Sequence, residues 1–351
     1  MSKTIDQAFK RRYEILPQMQ TYAAMRPSWV PHLMYNYQPN LRSGVCNTDE
    51  HGFRFTHRNG SVLDYSSFVE LPGPKGLLCG SGAAFGVGAT ADSETIASKL
   101  NQASDMTWFN FAGPPLTSTQ ELLRFQLFLP KVERVVLFTG LNNLALHTSS
   151  PMFSEVYGSI FLQHSFQLLN QVSNSADFLK YALRRLPGRM SRVWKRFLPS
   201  RPASSNQSEA PDFQTRYQQS LAILKRDLDV WASLRDRLGF SLLFVLQPRT
   251  AWMEKTLSQE EQELQEIYST VALGPSRWGA AWANLEGPLN GIYPTYRDDT
   301  NQLCREREIQ WADANQLLPK GGWLFCDYAN MTDRGQELSA ELILACQGVT
   351  V

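Results

Sequence analysis

The sequence lacks the features of a membrane-spanning or secreted protein. No window has the roughly 18 apolar residues that a transmembrane helix needs, and the first residues, Met1-Ser2-Lys3-Thr4, do not form the apolar stretch of a signal peptide. Five cysteines are scattered over 351 residues, without the paired spacing of a metal site or the density of a disulfide scaffold. We therefore expect a soluble, cytoplasmic protein that needs no metal ion or other cofactor.

An excess of charge of either sign is also missing. The chain has 34 Lys and Arg against 33 Asp and Glu, a formal net charge of +1. No global field favours nucleic acid or an acidic substrate, so any electrostatic effect must be local. We therefore expect no nucleic acid as partner.

One segment does carry a local excess of charge. Residues 180–201 contain eight Lys or Arg and no Asp or Glu, interleaved with apolar residues, and a Pro- and Ser-rich stretch follows. We interpret residues from about 150 to 212 as an insertion into one large α/β domain. The basic segment is either a helical hairpin packed on that domain or a contact site for an anionic membrane surface or an acidic partner.

Short apolar runs that end at small or polar residues predict buried strands of a parallel sheet. They occupy residues 76–79, 107–111, 135–138 and 241–246, with 323–325 as a weaker fifth. Between them lie helical patterns. Ser118 with Glu121 and Ser258 with Glu261 have capping-box spacing, and apolar residues recur at helical intervals from Tyr217 to Leu238 before Gly239. The alternation of strands and helices predicts an α/β fold with helices on both faces of the sheet.

The residues that follow these strands form an ordered set of motifs. They are Gly80-Ser81-Gly82, then Ala112-Gly113-Pro114, then Gly140-Leu141-Asn142-Asn143, and late in the chain Asp327-Tyr328-Ala329-Asn330. Ligands of open parallel sheets bind beyond these carboxyl ends. The ordered set resembles the SGNH/GDSL hydrolase family, and the segment 47–54 is similar to the Asn-x-x-Gly-Phe-Arg lead-in of many of its members.

The resemblance implies a three-layer αβα sandwich with a flavodoxin-like parallel sheet. The N-terminal extension would be residues 1–45 and the SGNH hydrolase-like domain residues 46–351. In that family a serine attacks an ester, a histidine takes its proton, and an aspartate orients the histidine. Here Asp327 matches the carboxylate, while Asn142 and Gly113 match the donors to the oxyanion. The substrate would be an ester, an acyl sugar or an acyl thioester.

The sequence departs from the family pattern at two catalytic positions. Asn330 stands where the histidine is expected, and an amide cannot take up a proton near neutral pH. Counting back from Phe85-Gly86 in the family spacing places Gly82 at the serine position, whereas counting forward from the strand makes Ser81 the nucleophile. His147, which follows the third strand by a few residues, is the first candidate for a displaced base.

Two functions remain open at this stage. The first is an SGNH-type serine hydrolase or acyltransferase that uses Ser81, with Asp327, Asn330 and His147 in an altered catalytic site. The second is a catalytically inactive relative that binds a carbohydrate, acyl or protein ligand at the same edge. The joint departure at Gly82 and Asn330 favours the second, and the presence of Ser81, Asn142 and Asp327 favours the first.

Overall fold

The computed structural model describes residues 3–26, 28–149, 153–159, 212–272 and 277–348. The basic segment 180–201, most of the predicted insertion and His164 lie outside the described residues. No helix in the described ranges has both the length and the apolar character that crossing a bilayer requires.

The described chain contains eleven strands and twelve α-helices. The strands are β1 (Ser28–Val30), β2 (Met34–Asn36), β3 (Thr56–Arg58), β4 (Ser61–Leu63), β5 (Lys75–Gly80), β6 (Thr107–Asn110), β7 (Arg134–Thr139), β8 (Phe153–Ser154), β9 (Gly158–Ser159), β10 (Ser241–Leu246) and β11 (Gln310–Asp313). The helices are α1 (Lys3–Ile15), α2 (Met19–Ala24), α3 (Tyr65–Glu70), α4 (Gly82–Phe85), α5 (Ile96–Ala103), α6 (Ser118–Phe128), α7 (Leu141–Ser149), α8 (Phe213–Leu238), α9 (Gln259–Ala272), α10 (Arg277–Arg305), α11 (Ala314–Leu317) and α12 (Asp333–Cys346).

Five strands form one parallel sheet in the order β11-β10-β7-β5-β6. Taken in chain order this is the 2-1-3-4-5 arrangement of flavodoxin-like folds, in which the strand order reverses between the first and third strands. The predicted α/β sandwich is therefore confirmed. Its switch point lies between β5 and β7, and these are the strands that Ser81 and Asn142 follow.

Helices cover both faces of the sheet because successive strand residues point to opposite sides. On one face Val135 and Leu137 of β7 pack with α6, α7, α8 and α10, and on the other Val136 and Phe138 pack with α4, α5 and α12. Both faces are thus buried, which explains why the central strands appear in the sequence as uninterrupted apolar runs.

The prediction of the fifth strand was wrong. Residues 323–325 form no strand, and Phe325 makes only an isolated bridge with Met331. The fifth strand is β11, which pairs with β10 at the edge of the sheet. It was missed because its sequence, Gln-Trp-Ala-Asp, has no apolar run, and only Ala312 and Asp313 are buried.

Of the two helix starts predicted from capping-box spacing, the one at Ser258 is correct and the one at Ser118 is displaced by one residue. Ser258 and Glu261 form a reciprocal cap, in which each side chain accepts a hydrogen bond from the other residue's backbone N–H. Helix α6 instead begins one residue early, because Thr117 and Gln120 make its capping box. Glu121 is buried beneath the sheet edge, where it accepts a hydrogen bond from the Thr139 hydroxyl at 2.7 Å.

A buried ion pair fixes the turn that follows β5. Arg54 donates from Nε to Asp92 at 2.7 Å, and both side chains are almost fully buried. Its Nη1 donates to the carbonyl of Gly86 at 2.7 Å and its Nη2 to that of Val45 at 2.8 Å. One guanidinium therefore ties the end of α4 to the 47–54 lead-in and to the segment before α5.

Replacing Arg54 by methionine would leave Asp92 buried without its counter-charge. Breaking a buried pair in this way typically costs about 3–5 kcal/mol. We expect Arg54→Met to lower the free energy of unfolding by about that amount, measured by urea denaturation followed by circular dichroism. The matched control, Arg334→Met, removes an exposed arginine paired with Glu337 and should change stability little. Equal stability of Arg54→Met and the wild type would contradict this role.

Candidate functional site

A cavity of about 420 Å³ lies at the carboxyl edge of the sheet, beside the switch point. Its walls come from the turns after β5, β7 and β10, from helix α9 and from the loop before α12. The lining residues are Tyr37, Ser81, Gly82, Ala83, Val87, Pro115, Leu141, Asn142, Gln247, Arg249, Tyr268, Asp327, Tyr328, Ala329 and Asn330. The structure thus brings Ser81, Asn142, Asp327 and Asn330 to one place.

The turn after β5 places two residues at the cavity. Gly80 has φ +147°, and a Cβ there would lie 2.3 Å from the carbonyl oxygen of Phe138, so glycine is required for the chain to turn. Ser81 follows, only 3% exposed, and caps the short helix α4 without a side-chain hydrogen bond to the helix backbone. A Cβ at Gly82 would lie 3.2 Å from Asn330 Oδ1. Position 82 therefore faces Asn330 directly.

Asp327 and Asn330 form a closed hydrogen-bonded unit. The Asp327 Oδ1 accepts from the backbone N–H groups of Ala329 and Asn330 at 2.9 and 2.7 Å, and its Oδ2 accepts from Asn330 Nδ2 at 2.8 Å. Thr250, from the turn after β10, holds this loop by donating its backbone N–H to the Tyr328 carbonyl at 3.0 Å. The Asn330 side chain thus binds the carboxylate through one end and presents its oxygen towards Gly82.

The two expected oxyanion residues lie in different environments. Asn142 lines the cavity and donates one amide hydrogen to the Leu116 carbonyl at 3.3 Å, and its second amide hydrogen is available for a ligand. Gly113 is not among the lining residues, and its backbone N–H donates to the Gly80 carbonyl at 3.1 Å. A Cβ at Gly113 would lie 2.2 Å from Arg124 Nη1, so this glycine makes room for a buried arginine.

His147 is not among the described residues that line the cavity. It is 1% exposed on α7, where its ring packs edge-on against Phe153 with centroids 5.5 Å apart. Burial, with Arg226 and Arg216 nearby, lowers the pKa of His147 to about 3. The structure therefore does not bring this histidine to Ser81. His51 lines a separate surface pocket beside Asp49 and Asp64.

Several lining residues were not predicted as site residues from the sequence, among them Gln247, Arg249 and Tyr268. Arg249 and Gln247 follow β10, and the sequence signals for them were the polar end of the apolar run 241–246 and, for Gln247, the similarity of Leu246-Gln247-Pro248 to the end of the fourth strand in the SGNH/GDSL family. Tyr268 comes from α9, where its ring packs against Tyr328 at a centroid distance of 5.8 Å. Burial raises its pKa well above the usual value, and its hydroxyl has no hydrogen-bond partner among the described residues. Within the same ranges, no group of three His, Cys, Asp or Glu side chains could hold a metal ion.

Comparisons with known proteins find similarity only among solved structures. No family model matches the sequence, and no curated protein matches it significantly. Among solved structures, one from Bacteroides fragilis NCTC 9343, described as a "putative acylhydrolase", is similar with a TM-score of 0.40 and 11% sequence identity. The alignment covers 81% of this chain and 93% of that one.

The burial of neutral His147 predicts a loss of stability in acid. Its pKa of about 3 in the folded protein is below the ordinary value of about 6.5, so protonation favours the unfolded chain between these two pH values. From pH 7 to pH 5 we expect the wild type to lose roughly 2 kcal/mol more unfolding free energy than His147→Gln. Urea denaturation at the two pH values measures this difference. The same pH dependence in both proteins would contradict the buried, neutral state of His147.

Proposed function

We propose that this protein is a divergent relative of the SGNH hydrolases whose hydrolase site has become a site that binds a small ligand without hydrolysing it. The hydrogen bond from Asn330 Nδ2 to Asp327 Oδ2, 2.8 Å long, carries the proposal. In a serine hydrolase the aspartate accepts this bond from the histidine that serves as base. Here the amide of Asn330 donates the corresponding hydrogen bond. An amide cannot accept the proton of a nucleophile near neutral pH.

The environment of Gly82 supports the same conclusion from the opposite side of the cavity. A nucleophile must lie within hydrogen-bond reach of the group that activates it. The position that faces Asn330 Oδ1 is Gly82, which has no hydroxyl. In this proposal both members of the reacting pair are replaced, at two positions that face each other across the cavity.

The cavity itself is suited to a small ligand. Its volume of about 420 Å³ is within the usual range for ligand sites, which combine apolar and aromatic walls with a few polar groups. Here Tyr268 and Tyr328 supply aromatic surface, and Asn142, Gln247 and Asn330 supply planar polar groups. A binding site needs these features and no proton-transfer chemistry.

A hydrolase or acyltransferase that uses Ser81 is the second candidate, because this serine lines the same cavity as Asn142 and Asp327. Its substrate would be an ester, an acyl sugar or an acyl thioester. Such an enzyme would need a proton acceptor other than Asn330. Replacing Ser81 by alanine would then abolish turnover, whereas the binding proposal expects this change to leave an inactive protein inactive.

Labelling with a serine-reactive fluorophosphonate separates the two candidates. We expect no labelling of the wild type or of Ser81→Ala, because no activated hydroxyl faces a base. Labelling that is present in the wild type and lost in Ser81→Ala would contradict the proposal and support the hydrolase.

A second labelling experiment tests whether the residues at positions 82 and 330 alone account for the lack of an activated nucleophile. We expect the double variant Gly82→Ser, Asn330→His to be labelled, since it restores a hydroxyl facing an imidazole held by Asp327. The single variants Gly82→Ser and Asn330→His are the matched controls and should remain unlabelled. An unlabelled double variant that folds normally would contradict the equivalence of positions 82 and 330 to the catalytic pair.

A further inference from the structure

The charged groups of the cavity wall are already satisfied within the protein. Arg249 donates from Nη2 to Glu286 at 2.7 Å and from Nη1 to the side-chain oxygen of Asn290. Asp327 uses both carboxylate oxygens to bind the loop, including the Asn330 amide. Neither charge is left to pair with a ligand, so a charged ligand would have to displace an existing partner.

Gln247 differs from these groups because its side chain makes no hydrogen bond within the described part of the chain. Its backbone is fixed at the end of β10, where its N–H donates to Thr139 at 2.9 Å and its carbonyl accepts from Asn315 Nδ2 at 3.2 Å. The residue is 2% exposed, lines the cavity, and its Oε1 has no hydrogen-bond partner among the described residues. Buried polar atoms are rarely left unpaired in native proteins. A ligand in the cavity would supply the missing partner.

The other uncommitted groups around the cavity are neutral as well. They include the hydroxyls of Tyr268 and Ser81, the second amide hydrogen of Asn142 and the Asn330 oxygen that faces Gly82. Together with Gln247 they offer both donors and acceptors, which matches a ligand whose groups can also do both. Hydroxyl groups have this property, whereas a fatty acyl chain would leave all of these atoms unpaired.

We infer that the cavity binds a neutral sugar and that Gln247 determines this specificity, with its Oε1 accepting from one ligand hydroxyl and its Nε2 donating to another. The inference rests on the proposed function and adds the class of ligand. The ring of Tyr328 lines the same cavity and provides an apolar surface for the carbon–hydrogen face of the sugar ring, whereas one face of Tyr268 is already covered by the Arg12 guanidinium, 4.8 Å from the ring centroid.

Binding of the full-length protein to an array of neutral and uronic-acid-containing glycans tests this inference, with a fluorescent fatty acid as the alternative ligand. We expect binding to neutral glycans, weakened about tenfold or more in Gln247→Leu because leucine makes no hydrogen bonds. The matched control is Gln214→Leu, at an exposed position of α8 away from the cavity, which should bind like the wild type. The melting temperature of Gln247→Leu should not fall, since no internal hydrogen bond is lost.

Each other outcome overturns a definite part of the inference. A preference for acidic glycans, binding of the fatty acid alone, or binding to no glycan would overturn the assignment of a neutral sugar. Glycan binding that Gln247→Leu leaves unchanged would overturn the role of Gln247, and a lower melting temperature for that variant would show an internal role instead. All of these results leave the proposed absence of hydrolysis standing, because Ser81-dependent fluorophosphonate labelling tests that claim separately.

Discussion

The Arg54–Asp92 ion pair is the interaction on which the geometry of the cavity depends. It buries two opposite charges behind the turn after β5, and the same guanidinium binds the carbonyl of Gly86. The Arg54–Asp92 ion pair does not line the cavity, but it fixes the position of Ser81 and Gly82 relative to the rest of the sheet. Because a buried charge without its partner is very unfavourable, the turn has little freedom to move away from the Asp327 loop.

The internal pairing of charged groups also determines which interactions the cavity can offer to a ligand. Asp327 is held by two backbone N–H groups and the Asn330 amide, and Arg249 is held by Glu286 and Asn290. The arrangement holds the loops around the cavity in place while both ionisable groups are occupied by partners within the protein. The groups left for a ligand are neutral hydrogen-bonding groups, which provide recognition but cannot transfer a proton at neutral pH.

The sheet could be predicted from the sequence because its central strands are buried on both faces and are therefore apolar throughout. The edge strand β11 could not, since its first two residues are not buried and it has no apolar run. Ser81 and Asn142 could be assigned to one edge because parallel strands end together there, whereas Asp327 follows no strand and only the resemblance assigned it to this edge. The sequence also gave no sign that the N–H of Gly113 is bound by Gly80 or that His147 is buried against Phe153. Such contacts arise from packing between distant segments.

Two features of the site depend wholly on tertiary structure. Counting residues leaves Ser81 and Gly82 equivalent, and the position of Gly82 opposite Asn330 Oδ1 is visible only in the folded structure. Gln247 is an ordinary strand-end residue in the sequence, and its significance comes from its burial without a side-chain partner.

Native mass spectrometry of the wild-type protein with an O-acetylated form of a neutral glycan that it binds tests binding without hydrolysis most directly. The account predicts a non-covalent complex in which the sugar keeps its acetyl groups throughout the incubation. Release of acetate that depends on Ser81, or an acetyl group attached covalently to the protein at Ser81, would contradict it.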